Sequence, residues 1–172
     1  MDVWSVFGLL DYQDMFDYFK KERDGLLHAF ENMSEEEFTR NRGLSFESIK
    51  DVFVHTVIVE DNWLHHRAAG LGEGTQKPQD FRNMQEIKRY MTEVDAKTAK
   101  LFNAITTNDL KRRVKRVQPD GKEVMYSLGD VLYHIPLEVI HHYGEIFAEF
   151  WKMNINAPYY SYLAYSKDKK DL

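Results

Sequence analysis

Between Leu128 and Phe150 apolar side chains recur at steps of three and four: Leu128, Val131, Leu132, Ile135, Val139, Ile146 and Phe150. That is the spacing of one helix face, held for roughly six turns. A helix with one apolar stripe is stable in water only when the stripe lies against other elements. Ser127, with Asp130 three residues on, marks its start as a capping pair. The stripe is not wholly apolar. Glu138 and His142 lie on it or at its edge, four residues apart, and residues four apart are neighbours on a helix surface.

Three further stretches carry the same period. The first runs from about Leu10 to Met33, with Phe16, Phe19, Leu26, Phe30 and Met33 on one face. "SEEE" at Ser34–Glu37 then reads as the cap of a short helical turn. The second runs from about Phe46 to Ala69 on Ile49, Val52, Phe53, Val59 and Trp63, and Gly70 stops it. The third runs from about Met84 to Ile105 behind an Asn83 cap. Between the third and fourth the period changes. "RVKRVQPDGKEVMYS" holds two short runs around Pro119-Asp120-Gly121, a hairpin signal. After the fourth helix, "NAPYYSYLAY" reads as a last short helix and "SKDKKDL" as a frayed end. The expected fold is all-α: a four-helix bundle in a single domain, 1–172, with a small β-hairpin insert before the last long helix.

Composition narrows the chemistry. There are no cysteines, which removes thiolate nucleophiles, disulfides and Cys-ligated metals, so any metal must rest on His, Asp or Glu. A net charge of −5 gives no general drive toward nucleic acid. The basic cluster "KRRVKR", Lys111–Arg116, reads as a solvated strand face, with a phosphate-binding patch as the other reading. "MDVWSVFGLL" lacks the cationic and apolar regions of a signal peptide, and no apolar run reaches membrane-spanning length. The expectation is a cytoplasmic protein that engages neither membrane nor nucleic acid.

A carboxylate turned toward a helical core costs several kcal/mol unless it finds a partner. Glu138 therefore calls for an Arg or Lys, a histidinium, or a metal. The second helix offers His55, three residues after Val52 and four before Val59. His55, Glu138 and His142 each sit near the middle of a helix, so two packed helices bring them to one level. Such a set suits Zn, Ni, Fe or Mn and leaves coordination positions open, the layout of a catalytic rather than a structural site. The bland alternative is a set of hydrogen-bonded boundary residues. His134, one turn before Glu138, is an alternative ligand, ranked lower because Pro136 removes a helical hydrogen bond between them. Glu60 and Glu145 are candidates for support of the ligands or for acid–base duty, although Glu60 lies about 140° round the helix from His55. No catalytic residue is singled out. His65 and His66 read as imidazoles at the exposed end of the second helix.

Two segments carry a family resemblance. "SFESIKDVFVHTVIVEDNWL" resembles the second-helix signature of the DinB/YfiT-like superfamily of metal-binding four-helix bundles, on His55, Glu60, Trp63 and Leu64. "SLGDVLYHIPLEVIHHYGEIFAEFW" resembles its fourth-helix signature, which ends here in His142-Tyr143-Gly144-Glu145. The resemblance implies a metal triad at His55, Glu138 and His142. It departs from the commoner all-histidine form at Glu138, and Tyr143 stands where an Arg is usual. It also implies homodimers, a response to DNA damage in some members, and metal-dependent transferases, isomerases or hydrolases of small molecules, some of which use a thiol. The competing expectation is a non-catalytic interaction or stress-response module with the metal as a staple.

Overall fold

The computed structural model describes residues 4–170, with side chains described for 12–168. Helix α1 spans Trp4–Glu31, starting before Leu10 and ending two residues short of Met33. The opening of the stretch read against a signal peptide, 1–3, lies outside the described residues. Ser34 then caps α2, Glu35–Thr39, its hydroxyl accepting from the Glu37 backbone N–H at 3.2 Å.

Helix α3 is Ile49–Glu60, three residues later than expected, because Ser48 provides the N-cap. The helical path then continues to Arg67, but as a π-helical stretch over Asp61–Arg67, wound with i→i+5 bonds. Gly70, at φ 75°, ends it as the sequence indicates. A 3₁₀ turn at Pro78–Asp80 leads to α4, Met84–Ala104, capped by Asn83. A second 3₁₀ turn, Asp109–Lys111, precedes β1, Arg113–Val117, which pairs antiparallel with β2, Glu123–Ser127. The hairpin loop is longer than the Asp-Gly pair suggests. Gln118 and Lys122 close it, and Gly121, at φ 82°, supplies the left-handed residue.

Ser127 ends β2 and also opens α5, Leu128–Lys152, through a capping box with Asp130. Helix α6, Tyr162–Lys170, runs on through the charged residues expected to fray; 171–172 lie outside the described residues.

Among the described residues the chain is thus mostly helical, with one two-stranded sheet. Helix α5 packs on both α3 and α1, and α3 also meets α4. Its inner face is the predicted one: Leu128, Val131, Leu132, Ile135, Val139, Ile146 and Phe150 are all buried. Phe16, Phe19, Leu26 and Phe30 of α1 and Ile49, Val52 and Phe53 of α3 complete the same core. Buried side chains of this size each contribute about 1.5–3 kcal/mol. No helix among the described residues is long and apolar enough to cross a membrane.

Candidate metal centre

The ring centroids of His55 and His142 are 4.9 Å apart, nearly perpendicular, and those of Trp63 and His134 are 5.4 Å apart. Ascending α3 therefore means descending α5: the two helices run antiparallel. That pairing brings His55 level with His142 and one turn of α5 adds Glu138. One ligand atom from each of the three lies within 4.8 Å of the others.

His142 is held from behind. Its Nδ1 lies 2.8 Å from Glu145 Oε1. Burial pushes the Glu145 carboxyl up, but hydrogen bonds from Ser45 and the contact with His142 outweigh this and hold it below its ordinary range. An ionised carboxylate only accepts, so Nδ1 is the nitrogen that donates to Glu145. Nε2 is the nitrogen that faces Glu138, at 3.5 Å from Oε1. Orientation of a ligating histidine by a carboxylate on its other nitrogen is a recurrent feature of metal sites.

Glu145 is in turn fixed by the loop before α3. Ser45 donates its backbone N–H to Oε2 at 3.1 Å and its hydroxyl to Oε1 at 2.9 Å. The next residue, Phe46, lies flat on the His55 ring at 3.7 Å between centroids and edge-on to His142 at 5.6 Å. A tight turn presents both side chains. The Ser48 N–H bonds to the Phe46 carbonyl at 2.8 Å across Glu47, whose φ is 67°. An i→i+2 turn with positive φ is the rarer, strained kind, and strain of this sort gathers at functional sites. Ser45 and Phe46 were not read from the sequence. The apolar period puts Phe46 at the start of the second helix, and nothing periodic separates a turn from a first helical turn.

The donor set is therefore two imidazoles and a carboxylate, which fits a divalent transition metal. Among the described residues no Lys or Arg forms an ion pair with Glu138, whose neighbour is His142. Glu138 is 35% exposed, at the edge of the stripe rather than inside it, and so leaves one side of the group open to solvent. Burial, with the adjacent His142 adding to it, lowers the His55 pKa to about 4, outweighing the opposing pull of Glu138 and Glu145. A neutral imidazole is the form that donates a lone pair.

The other candidates lie elsewhere. His134 is exposed and turned to Trp63, outside the group of three. Glu60 is fully buried on another face of α3, where Thr98 donates to it at 2.5 Å. It belongs to a separate polar network with Arg23 and Asp95. His65 and His66 do stand in the last helical turn before Gly70, but half-buried rather than exposed. His65 Nε2 lies 3.0 Å from the Thr98 hydroxyl and His66 Nε2 lies 3.6 Å from Asp61. Tyr143 is fully buried beside Arg23, so a guanidinium from α1 stands near the position where an Arg side chain is usual.

No curated protein matches the chain. Comparison with protein-family models matches residues 7–162, nearly the whole chain, to the DinB family. With a single family pattern running through all four long helices and the hairpin, this chain belongs to the DinB family.

Proposed function

We propose that the chain holds one divalent transition metal, Zn, Ni, Fe or Mn, on His55, Glu138 and His142, and acts on a small molecule as a transferase or hydrolase, with a thiol as a possible co-substrate class. The observation that supports it most is the convergence of three ligand atoms within 4.8 Å, with no internal cation on Glu138 among the described residues. When bound, such an ion supplies Lewis acidity and lowers the pKa of a water or thiol that it holds. The chain's own residues do the positioning. Glu145 and Ser45 fix the tautomer of His142, and Phe46 shields one flank of His55 from water. On this reading the four long helices form the four-helix bundle of the family. The same reading takes the protein to be a cytoplasmic homodimer; exposed Tyr133, Leu137 and Trp151 on one side of α5 offer an apolar face for a second copy.

The test is elemental analysis of gently purified protein. One divalent ion per chain is expected, and none in His142→Ala. Metal at full occupancy in that variant, with the fold intact by circular dichroism, rules out the assignment.

A further inference from the structure

Positions 55, 59 and 63 follow one another along α3 and its π-helical extension, and 142, 138 and 134 along the facing side of α5. These side chains step along the α3–α5 seam from the His55–His142 level to the Trp63–His134 level. At that second level lies a cavity of about 270 Å³ lined by Trp63, Arg116, Tyr126, Asp130, Val131 and His134. Ligand pockets for larger organic molecules start at about 300 Å³, so this cavity suits roughly one ring with its substituent.

Arg116 is placed there by strand alternation. Val114 is buried against the helices, and Arg116, two residues on in β1, is half-buried on the same side, as is Tyr126 opposite Val114. Its guanidinium carbon is 5.7 Å from the Trp63 ring centroid. The neighbouring cations are already engaged. Arg67, 4.6 Å over the same ring, pairs with Glu73; Lys115 pairs with Glu123 at 2.8 Å; Arg113 donates to the Met125 carbonyl at 3.1 Å. Among the described residues Arg116 has no carboxylate partner. Asp130, the carboxylate that lines the cavity, accepts on Oδ2 from the Ser127 backbone N–H at 3.0 Å and hydroxyl at 2.6 Å. An uncompensated guanidinium beside Trp63, Tyr126 and His134 rings matches a flat apolar body ending in a carboxylate.

We propose that this cavity is a substrate subsite for a small planar carboxylate, with the carboxylate on Arg116 and the ring against Trp63. His134 and Glu138 are four residues apart, about 6 Å along α5. The cavity therefore lies about one helical turn of α5 from Glu138 and the group it forms with His55 and His142. The inference names the substrate class of the proposed function and rests on that reading for its purpose, whereas carboxylate binding needs no metal.

The test follows the Trp63 indole N–H signal, identified with Trp63→Phe, in ¹⁵N-labelled full-length protein treated with EDTA. Benzoate is expected to shift it saturably. Acetate, which lacks the ring, and benzamide, which lacks the charge, should need concentrations at least about ten-fold higher. Arg116→Gln, a half-buried position whose side chain makes no hydrogen bond or ion pair among the described residues, should weaken benzoate by about ten-fold or more with the circular dichroism unchanged. Absence of saturable binding, equal binding by benzamide, or unaltered affinity in Arg116→Gln overturns the proposal. Because the protein is metal-free throughout, a failed metal assignment leaves this result standing, and a failed subsite leaves the elemental analysis standing.

Discussion

On α3, His55 faces α5 and the Ser45–Phe46 turn, whereas Glu60, five residues on, faces α1 and α4. On α5, His142 points into the open group with His55 and Glu138, and Tyr143 beside it is sealed in the core. The same two helices thus carry two polar regions of opposite construction. In the first, lone pairs and a carboxylate converge, no Lys or Arg among the described residues answers them, and one edge meets solvent. In the second, charges neutralise one another. Arg23 donates to Asp95 at 2.6 Å, Lys20 lies 3.2 Å from Asp95, and Lys97 and Tyr90 engage Asp61 at 3.0 and 2.9 Å. Burial pushes the Glu60 carboxyl up, against the opposing pull of Lys20 and Arg23, so it leans toward its neutral form. The difference is informative: polar residues in a helical core mark a site when their demand for charge is unmet, and architecture when it is met from within.

Removing a member of the closed region should therefore cost most. Arg23→Ala removes a buried guanidinium from Asp95, which is partly exposed and keeps Lys20, and is expected to lower unfolding stability by about 1.5–3 kcal/mol, measured by urea denaturation of metal-free protein. His55→Ala under the same conditions should change it far less; equal losses would erase the distinction between the regions. A smaller and more selective effect belongs to Glu145→Gln. It leaves His55, Glu138 and His142 in place but replaces the charged acceptor behind Nδ1 of His142 with a neutral, weaker one. Metal affinity should fall by about 10- to 100-fold with apo-protein stability nearly unchanged, as read by competition with a chelator. If affinity stays within error of the natural protein, Glu145 does not position His142.

The smallest effect is in the pH dependence. Burial is the main reason that the His65 pKa lies near 4 instead of 6.5, in spite of nearby Asp61. The unfolded chain takes up a proton that the native state refuses, so this group favours the native state fully above pH 6.5 and progressively less as pH falls toward 4. His65→Gln should flatten the melting temperature in that window while keeping a hydrogen-bonding group for Thr98. A slope identical to that of the natural protein would show that His65 titrates normally. His55 acts in the same window in metal-free protein, so a residual slope is expected.

Much of this was legible in the sequence, for reasons that differ by element. Helix α5 was readable because a one-sided stripe and the Ser127–Asp130 pair both act locally. His55, Glu138 and His142 stood out because polar groups interrupt apolar stripes, and Glu145 because it lies three residues beyond His142. The π-helical stretch at Asp61–Arg67 left no trace, since seven residues are too few to reveal a changed period. Arg116 was hidden inside "KRRVKR", where a run of charge masks the alternation that turns one side chain inward. Arg23 and Asp95 meet across 72 positions of chain, and no local pattern reports such a meeting.

The π-helical stretch has an evolutionary consequence. Its bonds enclose one residue more than those of an α-helix. Gaining or losing a single codon there would swing Trp63 and the cavity wall while His55, upstream, kept its place. Relatives could in this way exchange one small molecule for another without rebuilding the cation's grip, and length variation confined to this helix among family members would be the record of it.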